Sequence, residues 1–314
     1  MPKTVLTLAE RTAALVRHVD VDQVLRRTTS GIYVGHSADL GWGRVYGGQT
    51  MAQALAAAQK LAAHKDRRVH QFGCHFLRPG DVKHDIEIEA DILADGKSFG
   101  VMHVRAMQKG KNILAMTASL QTPETGLDHQ YQHRYARHGT GLRPEWKKPD
   151  ELQSIYEHMK PYIHKIPAPL RPLYEYPQPL EVRPTEFIPP WDTTSRPPVR
   201  CHWVKSRLPL PPDRDVHERL LTYVSDWGLL ETSTFSHPVG MWTPGMQIAS
   251  LSHSIHFHRD FDLNEQWLCH AMYSPTSSGG RGFALGEFWT EDGDLVASTT
   301  QEGLIRLNGD GEGQ

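Results

Sequence analysis

The sequence predicts an α+β protein made of two like units in one chain, each a long helix covered by an antiparallel sheet. Three observations carry this. One order of elements occurs twice along the chain, and residue motifs recur at a nearly constant offset. The 314 residues also suit two domains at roughly 150 residues each, long enough to bury a core without disulfides or metals. His75-Phe76-x-Arg78-x-x-Asp81 returns as His256-Phe257-x-Arg259-x-x-Asp262, 181 residues on, and Ala115-x-Thr117 returns as Ala297-x-Thr299, 182 on.

In the first unit, Gly31 to His36 reads as an opening strand. Gly47 to Ala63 (GGQTMAQALAAAQKLAA) reads as a helix, with high helix propensity and an apolar stripe through Met51, Leu55, Ala58 and Leu61. Extended runs follow at Val69 to Leu77, His84 to Leu93, Phe99 to Met107 and Ile113 to Leu120, with turns at Asp95-Gly96 and Lys109-Gly110-Lys111. The second unit repeats this. A strand Leu180 to Phe187 precedes a helix from about His217 to Glu231, then runs at Met246 to His258, Trp267 to Tyr273, Gly282 to Trp289 and Leu295 to Ile305. Between the units, 14 of the 22 prolines fall within 161–212, where they disfavour long helices and continuous sheet. The domain reading is therefore 1–121, a linker at 122–178 carrying at most a short helix near Pro149 to Met159, and 179–314.

Composition excludes several classes. Apolar residues are 39%, charged 22% and aromatic 9%, those of an ordinary folded protein, and the net charge of −2 gives no global positive field for nucleic acid. No run of about 18 apolar residues suggests a membrane span. The first 25 residues mix charge with apolar residues at helical spacing and lack a cleavage site, so no signal peptide is expected. The sequence ends Glu312-Gly313-Gln314, not a Ser-Lys-Leu address, and no asparagine opens a glycosylation sequon. Cys74, Cys201 and Cys269 are widely spaced and cannot all pair, which favours a reducing compartment and, by default, the cytoplasm.

Single motifs are weak on their own. Gly96-Lys97-Ser98-Phe99-Gly100 fits the GxSxG nucleophile elbow, but the run after Ser98 alternates with period two, where an elbow needs a helix. His256 and His258 share a strand face, yet no third ligand stands at metal spacing, and no metal or cofactor is expected. Gly41-x-Gly43-x-x-x-Gly47-Gly48 reads as a tight turn before a helix more readily than as a phosphate cradle. Asp226 is a carboxylate in an otherwise apolar helix, which would raise its pKa if it faced the sheet. Ser250 alternates onto one strand face with Ile248, Ser252, Ser254 and His256. Gln301, in the last strand, is an amide that donates and accepts at once.

Together the motifs resemble those of the type II acyl-CoA thioesterases, the TesB-like family with a double hotdog fold. The likeness runs from about residue 10 to 306. It is carried by Val45-Tyr46-Gly47-Gly48-Gln49, HFLRPGD (75–81), DGKSF (95–99), MTASLQ (116–121), PLEVRPTEF (179–187), SDWGLL (225–230), PGMQIASLSHSIHFHR (244–259), RGFALGEF (281–288) and VASTTQEG (296–303). The resemblance implies an enzyme that hydrolyses fatty acyl-CoA through a water held by Asp226, Ser250 and Gln301; at the serine position bacterial members often carry Thr. It implies an oxyanion donor, for which Gly47 and Gly48 are candidates, while Arg259 and Arg281 are candidates for the phosphates of CoA. A non-catalytic acyl-CoA binder would tolerate loss of the three polar residues. A hotdog hydratase would want a His and an acid on the first helix, which has neither. A sheet face left uncovered by the helices implies a homodimer or a dimer of dimers.

Overall fold

The computed structural model describes residues 6–62, 66–130 and 147–308. Helix α1 (Leu8–His18) opens on a capping box between Thr7 and Glu10. The first unit continues with β1 (Asp22–Arg26), β2 (Ser30–Gly35), α2 (Gly47–Leu61), β3 (Arg68–Phe76), β4 (Ile86–Asp95), β5 (Phe99–Gln108) and β6 (Lys111–Gln121). Two short helices follow, α3 (Ile155–Met159) and α4 (Arg171–Glu175). The second unit comprises β7 (Leu180–Pro184), β8 (Val199–Ser206), α5 (Arg214–Ser225), β9 (Met246–Phe257), β10 (Leu268–Ser278), β11 (Arg281–Thr290) and β12 (Leu295–Leu307).

These strands form one antiparallel sheet in the order β1-β2-β4-β5-β6-β3-β9-β12-β11-β10-β8-β7. The order is the same from either edge once the repeat is applied, so β3 and β9 meet in the middle. There Gly73 pairs with Ser254, two residues separated by the same 181 positions as the sequence motifs, and a pseudo-two-fold axis passes between them. The sheet wraps two helices, as a double hotdog does. α2 is apolar nearly all round, with Ala52, Ala54, Ala56, Ala57 and Ala58 fully buried, as a helix inside a core must be. Its small side chains let α5 lie antiparallel against it: the α2 start meets the α5 end at Gly48, and Gln59 near the α2 end bonds Glu218 near the α5 start at 2.9 Å.

The structure corrects several expectations. Each unit opens with a hairpin, not one strand: β1 precedes β2, and β8, hidden behind Pro197-Pro198, joins the main sheet by pairing β10, while the Leu180 strand is the edge. The 182 offset is one step out of register. Phe76 pairs with Leu114 and Phe257 with Ala297, so the equivalent of Ala297 is Leu114, 183 residues back, and the matching Ala-x-Thr letters face opposite sides. The first helix is described to Leu61, and Ala63 lies outside the described residues. The segment before β7 holds more helix than expected, with 3-10 turns at Pro149–Glu151, Lys160–Lys165 and Ala168–Leu170 besides α3 and α4. Cys201 and Cys269 are joined as a disulfide, because Cys201 pairs with Ala271 and Cys269 with Trp203, placing the two thiols on one face of neighbouring strands. Cysteine spacing therefore gives no ground for a reducing compartment. Among the described residues no helix is long and apolar enough to cross a membrane.

Both units carry the same β-bulge: His70 is the extra residue of β3 against β6, and Leu251, 181 positions on, is the extra residue of β9 against β12. Opposite the second bulge is Gly303, where a Cβ would meet Leu230 and come within 2.8 Å of the Ala249 carbonyl oxygen. The backbone cannot yield as a side chain can. Gly303→Ala is accordingly expected to destabilise the fold by about 1–3 kcal/mol, measured as a lower denaturation midpoint at unchanged slope.

Candidate active site

The site is built where α5 ends. The apolar run suggested a helix reaching Glu231, but α5 stops at Ser225 with Asp226 as its C-cap. Trp227 N–H bonds the Val224 carbonyl at 2.9 Å, and Gly228, at φ +78°, takes the left-handed conformation that a side chain resists. The Asp226 carboxylate leaves the helix end and meets the first turn of α2, where the Gly48 N–H donates to its Oδ2 at 2.9 Å. Glycine is required at both α2 positions. A Cβ on Gly47 would stand 2.8 Å from that carboxylate oxygen, and one on Gly48 would strike the Tyr223 carbonyl.

The other carboxylate oxygen faces the sheet. Gln301 Nε2 donates to Asp226 Oδ1 at 2.6 Å and lies 2.8 Å from Ser250 Oγ, whose hydroxyl reaches Oδ1 at 3.4 Å. Gln301 Oε1 is buried with no hydrogen-bond partner among the described residues. The bulge explains how Ser250 comes here. Strict alternation puts it with Ser252 and Ser254 on the outer face, but the extra Leu251 turns it inward, paired with Gly303 on the side of Gln301 and His253.

Burial raises the Asp226 pKa above the ordinary carboxylate range; the bonds from Gln301, Gly48 and Ser250 and the charge of Arg44 oppose this without cancelling it. Burial, then the nearby Asp226 charge, push the Tyr46 and Tyr223 phenols up. Behind the site, His253 is pushed down to about 3 by burial, and its Nε2 is engaged with Ser225 Oγ at 3.0 Å, so the imidazole stays neutral. Among the described residues Ser250 thus has no histidine partner to make it a nucleophile. Carboxylate, amide and hydroxyl instead converge on one point, an arrangement suited to holding and deprotonating a water.

Asp226, Ser250, Gln301 and Gly47 line a cleft of about 600 Å³. Gly48 lies behind Gly47, with its N–H committed to Asp226. Arg259 and Arg281 do not line the cleft, a correction to their assignment. Arg259, past the far end of β9, pairs with Asp128 at 3.0 Å, and Arg281, after the Gly279-Gly280 turn, pairs with Glu302 at 2.9 Å. The cleft is lined by the buried Arg200, which pairs with Glu231, and by two further cations: Arg44, which bonds the Ile248 carbonyl at 2.9 Å, and Arg78, which bonds that of Asn112 at 2.8 Å. Both stood inside quoted or adjacent motif sequence, Arg78 within HFLRPGD and Arg44 just before Val45-Tyr46-Gly47-Gly48. Ser98 lies in the turn between β4 and β5, with strand on both sides. The N–H groups of Gly41 and Gly43 are taken by Asp39 Oδ1 at 2.7 and 3.3 Å, so that turn closes on itself.

Two antiparallel helices inside one wrapped sheet define a double hotdog, with an acid, an amide and a hydroxyl gathered at the helix junction. A family model described as acyl-CoA thioesterase matches residues 172–304, and one described as acyl-CoA thioesterase N-terminal domain matches 37–121. The chain is 36% identical to acyl-CoA thioesterase 2 of Haemophilus influenzae over 277 residues, 88% of this chain and 93% of the relative. It superposes on the crystal structure of an acyl-CoA thioesterase II, TesB2, from Mycobacterium marinum with TM-score 0.71 and 28% identity, covering 93% of this chain and 98% of that one. A conserved protein with the hot dog fold from Alicyclobacillus acidocaldarius shares the fold at TM-score 0.69 and 18% identity, with 94% and 99% covered. The chain belongs to the acyl-CoA thioesterase family and is an enzyme of the thioester-hydrolase class.

Because Asp226 titrates higher in the folded chain than in the unfolded one, the unfolded state loses this proton first as pH rises. Its contribution to stability is full below the unfolded value of about 3.9 and is lost as pH rises through the folded value. Asp226→Asn removes that penalty, and its melting temperature at neutral pH is expected to be no lower than the parent's, while the parent alone loses stability across that pH window.

Proposed function

We propose that the chain hydrolyses fatty acyl-CoA by direct attack of a water that Asp226, Gln301 and Ser250 hold. The observation that supports this best is the shared hydrogen bonding of a half-buried carboxylate at the floor of the cleft. Asp226 takes one water proton as the water oxygen bonds to the thioester carbon. Gln301 fixes the water through its unpartnered Oε1, and Ser250 orients the carboxylate. The oxyanion develops at the start of α2, where the Gly47 N–H belongs to the first turn and has no carbonyl four residues back to bond. Collapse of the intermediate breaks the carbon–sulfur bond, and the proton passes from Asp226 to the leaving thiolate. The products are a fatty acid and CoA with its thiol restored. No covalent intermediate is needed, because a thioester carbonyl accepts a positioned water.

Arg44 and Arg78, with exposed Trp42 and Leu77 beside them, form the rim suited to the nucleotide and phosphates of CoA. The opposite wall, with Met159, Leu170, Phe187 and Trp242, suits the acyl chain.

Thiol release tests the mechanism. Asp226→Asn should lower hydrolysis by about 10²–10⁴-fold. Gln301→Ala and Ser250→Ala act on the same water, so the double variant should be little worse than the poorer single. The acid limb of kcat/KM should lie above the ordinary carboxylate range and vanish in Asp226→Asn. Near-normal turnover in Asp226→Asn, or loss of activity in folded Ser98→Ala, would overturn the assignment.

We also propose self-association through the outer sheet face, where Tyr273 and Leu285 stand paired and half-exposed with Phe283 on the same face. Light scattering should give a mass of two or four times 35.5 kDa, and a monomer at micromolar concentration would refute it.

A further inference from the structure

A second cavity, of about 210 Å³, lies between α1, the loop at Ala38 to Leu40 and the segment 173–182. It shares three wall residues with the cleft: Ile155, Tyr174 and Trp227. Trp227 directly follows Asp226, so the partition stands beside the point where a thioester carbonyl must sit. On the cleft side Trp227 rests against Trp42 and Tyr46, at centroid distances of 6.2 and 6.3 Å.

The chamber wall is mostly apolar. Leu15, Leu40, Leu180 and Val182 supply much of its wall. Three of its polar side chains spend donors on backbone carbonyls: Arg11 on Pro177 at 3.0 Å, Gln49 on His36 at 2.8 Å, and Gln178 on Leu173 at 3.0 Å. Arg11 also lies over the Tyr176 ring at 4.6 Å, which ties α1 across the chamber to the segment before β7. The same segment walls the apolar side of the cleft, so the two spaces share a cover as well as a partition.

We infer that this chamber takes the distal end of a long acyl chain, and that Trp227 and Tyr174 divide short-chain from long-chain substrates. This rests on the hydrolytic reading above and adds which acyl groups are preferred. A short acyl group ends in the cleft. A longer one passes the partition and gains burial again, at about four-fold in kcat/KM per added methylene, the equivalent of about 0.8 kcal/mol.

The test is a length series of saturated acyl-CoAs, with thiol release measured for the parent and for Ala14→Trp and Leu15→Trp, which fill the chamber from α1 without touching the cleft. Both should keep short-chain kcat/KM within about two-fold and lower long-chain kcat/KM at least ten-fold. Tyr174→Ala, which opens the partition, should shift the preference to longer chains. Loss of the long-chain preference should appear in KM more than in kcat, since no reacting group moves. Parallel length profiles for the parent and a folded filling variant would overturn the inference while leaving hydrolysis intact. If neither filling variant folds, the parent decides: acyl chains ending in a tert-butyl group should lose activity only at lengths that reach the partition, and a uniform effect would overturn the inference. Absence of thiol release from every acyl-CoA would sink the hydrolytic reading itself.

Discussion

One half-buried carboxylate, held by two helices from different halves of the chain, sets the conditions for the rest of the structure. Asp226 hangs from the C-terminal end of α5, where the helix dipole is unfavourable to it, and is received by the N-terminal end of α2, where the dipole and the Gly48 N–H are favourable. The contact requires the helices to lie antiparallel and close, hence the run of buried alanines in α2 and the absence of side chains at Gly47 and Gly48. It also requires both units in one body. Neither half supplies acid and receiving helix alone, which gives a physical reason for the two to be joined in one chain.

The pseudo-two-fold axis makes a second such junction geometrically available, yet its chemistry is absent. By the register of the repeat, Val69 stands where Ser250 does and Ala118 where Gln301 does, and both are buried and apolar. The bulge persists in both units, so the inward turn belongs to the fold, and only the side chain placed on it differs. At that end of the helix pair, Glu218 is satisfied by Arg214 and Gln59, as a structural acid would be. One unit has kept packing and the other has taken on polar residues that a core would otherwise exclude. Their burial is a local cost of the kind active sites carry, offset by the apolar contacts around them.

Period and repeat made the sheet, the central helices and the two-unit architecture legible in the sequence, because strand alternation and helix amphipathicity are local properties. What lay beyond reach was non-local. Pro197-Pro198 masks β8, whose place is fixed by pairing with β10. The Cys201 to Cys269 bridge depends on the same pairing. Ser250 seemed to face outward because a bulge adds one residue without leaving a mark in the alternation, and Asp226 seemed to sit within a helix because the apolar run continues past Ser225, where α5 ends. The grouping of Asp226, Ser250 and Gln301 came from resemblance, since nothing in their spacing brings three separate elements together. Arg259 and Arg281 were chosen for charge alone, and charge does not say which end of a strand meets the cleft.

The segment rich in proline has a physical part in this arrangement. A chain that covers an apolar cavity must satisfy its backbone N–H groups or leave them buried at a cost of about 1–3 kcal/mol each. Proline has no N–H, so each one in such a cover removes a donor that would otherwise need a partner. Pro167, Pro184 and Pro190 all line the cleft, beside Met159, Leu170, Phe187 and Trp242. Their fixed φ also lowers the entropy lost when an irregular segment is held in one conformation. A cover of this kind presents an apolar surface on the acyl side of the proposed reaction, in which the attacking water is the one assigned to Asp226 and Gln301. The same composition that interrupts regular structure in the sequence is thus what allows an irregular segment to line an apolar wall of the cleft.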